Sequence, residues 1–208
     1  VRERLTPNLY QYYASTEAGG VSLLSPGDFD GRSSSVGRPC FQVEVEIVDD
    51  QDRPLPRGTV GRLRYRSPAS PERYHLGDSG EAFKDGFFYP GDLAMLDEDG
   101  YLFLRGRAKD IIIRGGVNIF PADIEAVIQQ IDGVSEVAVV PMPSPEHGEE
   151  IGAFVVANVG VTEEMVRTVC KAELAPFKVP RKFAFVEKLP RNGMGKVLKN
   201  ELTSSLVL

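Results

Sequence analysis

The sequence predicts an α+β chain, a β-rich first half joined to a compact unit of alternating helices and strands. Three observations carry this. Val43, Val45 and Ile47 alternate with Glu44 and Glu46, and Leu63 and Tyr65 alternate with Arg62, Arg64 and Arg66; a period of two gives a strand one buried and one solvated face. Ile124, Val127, Ile128 and Ile131 follow Pro121 at i, i+3, i+4 and i+7, and Val166, Val169, Cys170 and Leu174 follow Thr162 at helical spacing, so each set falls on one helix face. The period changes only once, after Arg105-Gly106-Arg107.

Taken in order, residues 40–104 read as a meander or small barrel. Its last pair of strands, 93–96 and 101–104, flanks Asp97-Glu98-Asp99-Gly100, where Asp-Gly supplies the positive φ of a tight hairpin. Beyond the change of period come a short apolar strand at 111–113, the helix opened by Pro121, and strands at 134–140 and 152–157. The second helix starts at Thr162 and is stopped by Pro176 and Pro180, and a strand at 183–186 and a last helix after Lys196 complete the unit. The boundary between the halves is expected near residues 107–110.

Composition narrows the function. The chain has 208 residues with 24 Lys and Arg against 30 Asp and Glu, a net charge of −6, which removes the broad basic footprint of a nucleic-acid binder. Its 2 cysteines, Cys40 and Cys170, form no CxxC or Cys/His cluster, which disfavours a disulfide framework and a zinc site and fits a reducing cytoplasm. No apolar run approaches the roughly 18 to 20 residues of a membrane span. The chain opens at Val1 in what reads as the middle of a domain, and a fragment is the expectation.

Several short matches fail. His75-Leu76-Gly77-Asp78-Ser79-Gly80 contains a GDSG, yet the only other histidine is His147 and no orienting carboxylate is marked; it reads as a loop. Asp97-Glu98-Asp99-Gly100 lacks the ligand spacing of an EF-hand. There is no GxxxxGK[ST] and no GxGxxG.

Four segments are informative together. They are Tyr13-Ala14-Ser15-Thr16-Glu17; Tyr89-Pro90-Gly91-Asp92; Gly106-Arg107-Ala108-Lys109-Asp110 with Arg114-Gly115-Gly116-Val117-Asn118-Ile119-Phe120-Pro121; and Pro190-Arg191-Asn192-Gly193-Met194-Gly195-Lys196. In this order and spacing the chain resembles the adenylate-forming superfamily of acyl-CoA synthetases, aryl-CoA ligases, firefly luciferase and peptide-synthetase adenylation domains. The run GRAKDIIIRGGVNIFPADIE is the most specific stretch, and its Gly-Gly-x-Asn-Ile-x-Pro form is similar to the CoA-ligase branch. The resemblance implies that residues 1–106 are the β-rich end of a large N-terminal domain, 107–109 a hinge, and 110–208 a small mobile α/β C-terminal domain.

It also implies an ATP-dependent acid–thiol ligase that makes an acyl adenylate and passes the acyl group to CoA; a carrier-protein thiol, or a non-catalytic module of the same fold, are the alternatives. Thr16 would bond the α-phosphate and Glu17 would help hold Mg²⁺, a hard cation that takes carboxylate and phosphate oxygens. Asp92 would accept from both ribose hydroxyls, Arg107 would assist there, and Tyr13 would lie against adenine. Lys196 would stabilise charge developing between the carboxylate and the α-phosphate. Lys109 aligns with the hinge residue, about which the Gly115-Gly116 loop replaces the lysine loop and admits the pantetheine arm of CoA. Ala14 and Pro90 depart from the Gly and Thr common at those positions. The phosphate-gripping loop and most of the acyl pocket would lie upstream of Tyr13.

Overall fold

A computed structural model describes residues 2, 4–17, 19–75, 80 and 82–205. The GDSG loop falls largely on residues 76–79, which lie outside the described residues. The chain divides into two compact units, Val1–Ala108 and Lys109–Leu208.

In the first unit, β1 (Gln11–Ser15), β2 (Gly19–Leu24) and β3 (Arg38–Pro39) form an antiparallel sheet. Between β2 and β3 the distorted turn α1 (Phe29–Arg32) is broken at Asp30 and Gly31. A second antiparallel sheet holds β4 (Glu44–Val48), β5 (Gly61–Arg66), β6 (Phe83–Lys84), β7 (Phe87–Phe88), β8 (Asp92–Leu96) and β9 (Leu102–Arg107). Its order is β6-β7-β5-β8-β9, with β4 on β5. Among the described residues β9 pairs only with β8 and β6 only with β7, and β5 pairs with β7 and β8 rather than with β6, so the sheet is neither the simple meander nor the closed barrel expected, because the β6–β7 hairpin folds back to bring β7 beside β5. Val21 from one sheet packs with Ile47, Leu63, Tyr65, Phe88, Ala94 and Leu102 from the other in one core. The hairpin at 97–100 forms as expected, with Gly100 at φ +81° and its N–H on the Asp97 carbonyl at 3.0 Å.

One expectation about this sheet needs correction. The arginine face of β5 is not simply solvated: Arg64 is 9% exposed. Register sets Arg64 opposite Glu46 and Arg66 opposite Glu44, with Nε–carboxylate contacts of 2.8 and 2.7 Å, and both guanidinium groups lie over the Phe87 ring at 4.4 and 4.5 Å. Cross-strand ion pairing and cation–π stacking desolvate a face that composition alone marks as wet.

The second unit is a five-stranded mixed sheet of β10 (Ile112–Arg114), β11 (Val117–Ile119), β12 (Val134–Ser144), β13 (Gly148–Ala157) and β14 (Lys182–Phe185), ordered β11-β10-β13-β12 with β14 parallel to β13. Residues on alternate sides of β12 and β13 enter different cores. Val139, Ile151, Ala153 and Val155 meet α2 (Pro121–Gln129) and α3 (Glu163–Glu173), whereas Ala138, Val140, Met142 and Phe154 meet Leu202 of α4 (Lys199–Ser205). Burial on both faces explains the unbroken apolar runs. Thr162 caps α3 through its Oγ1, 3.3 Å from the Met165 N–H.

The helical stripes are narrower than the spacing suggests. Ile124, Ile128, Val166 and Cys170 are fully buried, but Val127 and Val169 are only half-buried. Ile131 lies beyond the end of α2, its N–H on the Ile128 carbonyl. The strands at 134–140 and 152–157 extend to a long hairpin closed by Ser144 opposite Gly148. Pro141 and Pro143 conceal that extension in the sequence, because proline depresses strand propensity. Among the described residues no helix is long and apolar enough to cross a membrane.

Candidate active site

A cleft of about 690 Å³ opens in the first unit. The end of the β1–β2 hairpin supplies Tyr13, Thr16 and Glu17 to its lining, the start of β8 supplies Gly91 and Asp92, and the end of β9 supplies Arg107. Strand register makes Asp92 and Arg107 direct partners. Gly91, at φ +78°, turns the chain into β8; a Cβ there would be strained and would stand 3.9 Å from the Arg107 guanidinium.

Asp92 is the centre of this arrangement. The Tyr13 hydroxyl donates to its Oδ2 at 2.6 Å, and Arg107 Nε lies 2.9 Å from its Oδ1. Arg107 also donates to the Pro90 carbonyl at 3.2 Å, and the Ala108 N–H to the Gly91 carbonyl at 3.0 Å. Pro90 thus serves through its backbone oxygen, so the substitution of a residue for the usual Thr leaves this bond available. Burial, with the hydrogen bond to Asp92 next, drives the Tyr13 phenol far above its ordinary value, keeping it a donor at every ordinary pH. Both carboxylate oxygens are oriented, and each retains lone-pair capacity for a further donor.

Thr16 is exposed and Glu17 half-buried at the hairpin turn. Among the described residues no group of three or more His, Cys, Asp or Glu side chains could enclose a metal ion.

Reading the sequence quoted Tyr89 within its segment but gave it no role, and missed Arg62 as a lining residue. The Tyr89 hydroxyl accepts from Arg64 at 2.9 Å and donates to Asp52 at 3.1 Å, pinning the residue that precedes Pro90. Alternation in β5 exposes Arg62 and Arg64 as a pair, and that was the available signal. The link to Tyr89 needs the β5–β7 pairing.

The remaining predicted residues belong to the second unit. Lys109 stands in the single 3-10 turn Ala108–Asp110. Gly115 and Gly116 are the two-residue turn between β10 and β11, closed by Arg114 opposite Val117; at φ +56° and +81° both positions need the left-handed backbone that such hairpins demand. The Gly115 N–H donates to the His147 carbonyl at 2.9 Å, and Arg114 bonds Glu150 at 2.7 Å. Burial alone would raise the Glu150 carboxyl, but Arg114 holds it below its usual value. Lys196 is exposed on a short hairpin closed by the Arg191–Val197 bridge. The structure therefore gathers Tyr13, Thr16, Glu17, Asp92 and Arg107 into one cleft and sets Gly115-Gly116 and Lys196 on separate hairpins of the other unit.

Residues 1–75 match the AMP-binding enzyme family and residues 123–196 match the AMP-binding enzyme C-terminal domain. The long-chain-fatty-acid–CoA ligase of Salmonella typhimurium is 37% identical over 197 residues, spanning 93% of this chain and 35% of that protein. The fatty acid–[acyl-carrier-protein] ligase ScoC of Streptomyces coeruleorubidus is 38% identical over 200 residues, with 92% and 38% covered. Among solved structures, the amide bond synthetase McbA of Marinactinospora thermotolerans superposes with a TM-score of 0.92 at 34% identity, over 99% of this chain and 44% of that one. The chain thus spans well under half the length of these relatives.

Proposed function

Because the chain belongs to the family of AMP-binding, adenylate-forming enzymes, we propose that it carries the nucleotide-binding and mobile parts of an ATP-dependent acyl-CoA synthetase. The observation that supports this most directly is Asp92, held on both oxygens by Tyr13 and Arg107 at the floor of a cleft that Thr16 and Glu17 also line. A fixed carboxylate with spare lone pairs suits a ribose diol, and the neighbouring Thr16 hydroxyl suits an α-phosphate oxygen.

In the first step a substrate carboxylate oxygen bonds to the α-phosphorus of ATP, the bond to pyrophosphate breaks, and acyl adenylate forms. The Lys196 ammonium meets the charge that grows between the two reactants. In the second, a thiol sulfur bonds to the acyl carbonyl carbon, the thiol proton is lost, and AMP leaves. Asp92 and Arg107 keep the ribose fixed through both steps. The Tyr13 ring borders the adenine.

Mg²⁺ fits the donors present: Glu17 offers one carboxylate beside the phosphate position, and a magnesium site completed by phosphate oxygens and water needs no protein cage. Bound there, the ion would neutralise phosphate charge, with Glu17 as its protein ligand. Lys109, within residues 107–109, is the pivot about which residues 110–208 turn, and the Gly115-Gly116 turn then takes the place of the Lys196 hairpin and admits pantetheine. A cytoplasmic location agrees with the reduced, unpaired cysteines.

The test is pyrophosphate release by the intact protein with Mg·ATP over aliphatic and aromatic acids, followed by acyl transfer to CoA or to holo carrier protein. Acid-dependent pyrophosphate release with CoA thioester formation is expected. Transfer only to the carrier would favour the second reading, which the likeness to ScoC supports. No pyrophosphate release with any acid would overturn both.

A further inference from the structure

The hairpin that bears Lys196 contains Gly193, Met194 and Gly195 in succession, and such a run left to itself would be ordered anew at each turnover. Freezing each residue of such a run costs backbone conformational entropy. Here the order is already built. The Asn192 side-chain oxygen accepts from the N–H groups of Met194 at 3.1 Å and Lys196 at 2.9 Å. Its main chain adds two bonds, Asn192 N–H to the Lys196 carbonyl and Gly195 N–H to the Asn192 carbonyl, both 2.9 Å. Arg191 completes the arrangement: one guanidinium nitrogen donates to the Gly195 carbonyl at 2.6 Å while the other bonds Glu136 of β12 at 2.7 Å.

The backbone of Lys196 is therefore held on both its N–H and its C=O, and the hairpin is tied to the edge strand β12. The lysine's own side chain has no ion pair among the described residues. We propose that Asn192 and Arg191 are positioning residues for Lys196, fixing its backbone so that only the side chain has to find the reacting phosphate. This rests on the role given to Lys196 above. Asn192 acts as a two-N–H acceptor, a task that aspartate can perform and leucine cannot. Arg191 acts as a planar fork that spans two acceptors at once, which lysine reproduces poorly.

The intact protein is assayed as wild type, Asn192→Leu, Asn192→Asp, Arg191→Lys and Lys196→Ala. Two rates are read: acid-dependent ATP–pyrophosphate exchange, and thioester formation from supplied acyl adenylate and CoA. Misplacing a reacting group by about 1 Å costs on the order of 10²-fold. Asn192→Leu should slow exchange by about 10- to 100-fold, with thioester formation within about twofold of wild type. Asn192→Asp should restore exchange, and Arg191→Lys should fall between. Exchange at the wild-type rate in Asn192→Leu, when Lys196→Ala has lost it, overturns the positioning role alone. Loss of both rates together in Asn192→Leu, or no rescue by Asn192→Asp, also overturns it. Wild-type exchange in Lys196→Ala removes the positioning role together with the reading on which it rests.

Discussion

In the first unit the residues proposed to meet the nucleotide are committed through their side chains, Tyr13 and Arg107 each to one oxygen of Asp92. In the second unit Lys196 is committed only through its backbone, and its side chain ends in solvent. The contrast separates two ways of preparing a functional group. A carboxylate that, on the proposed reading, receives the same ribose in every step gains from a fixed orientation. An ammonium that, on the proposed reading, serves one step and leaves for the next gains from a fixed origin and a free head.

Lys196→Ala gives the widest break between the two. Adenylation should fall by about 10²- to 10³-fold, as when one preorganised electrostatic group is removed, while AMP affinity and thioester formation from supplied adenylate stay close to wild type. Pyrophosphate exchange and equilibrium binding measure this, and equal loss in both half-reactions would contradict the division.

Asp92→Ala should act in the opposite sense, weakening AMP binding by roughly 10- to 100-fold through loss of charge-assisted hydrogen bonds, seen by calorimetry. It should slow both half-reactions alike. A wild-type affinity would show that the clamp has no nucleotide to hold.

Lys109→Pro would sharpen the comparison by restricting the proposed pivot, since proline fixes φ near −65°. Thioester formation should suffer by about tenfold more than adenylation, in line with a geometric misplacement confined to one state. Equal effects would move the pivot elsewhere.

Much of this was legible in the chain, and the exceptions share a cause. Asp92, Arg107 and Lys196 stand in segments that the resemblance identifies, and β4, β5, α2 and α3 follow from local periodicity. The β1–β2 hairpin and the extension of β12 past Pro141 were not legible. Burial alternates along β1, but the exposed Tyr12 and the half-buried Tyr13 are the same residue type, so the residue types show no period of two, and the pairing partner β2 supplies the order. The same holds for Arg64, whose burial depends on Glu46 and Phe87 from other strands. Long-range pairing is what a local pattern does not contain.

Smaller effects would test whether the units are energetically separate. Ile128→Val, deep in the α2–α3 core, should cost about 0.5–1.5 kcal/mol, read as faster amide exchange in residues 110–205 with residues 4–75 unchanged. Spread of the effect across both units would mean one cooperative fold.

A last effect is confined to high pH. Burial pushes Tyr65, ordinarily at 10.0, up to about 12, so the folded unit favours the neutral phenol. The associated stabilisation is complete below pH 10 and is lost as the pH rises toward 12. Melting followed by circular dichroism across that window should show a decline that Tyr65→Phe makes shallower. An identical slope in the variant would remove Tyr65 as its source.

Pro141 and Pro143 have a consequence for how the molecule behaves among its own copies. They are two residues apart on β12, which pairs only with β13 among the described residues, so both stand on the same side of the strand's hydrogen-bonding plane. Continuous pairing with β13 requires their ring nitrogens to face outward, because neither has an N–H to give. The free edge of the longest strand in the chain is thereby stripped of donors at two successive outward positions. A second chain approaching that edge finds carbonyls without the complementary N–H groups, and strand-by-strand growth into an aggregate has no template there.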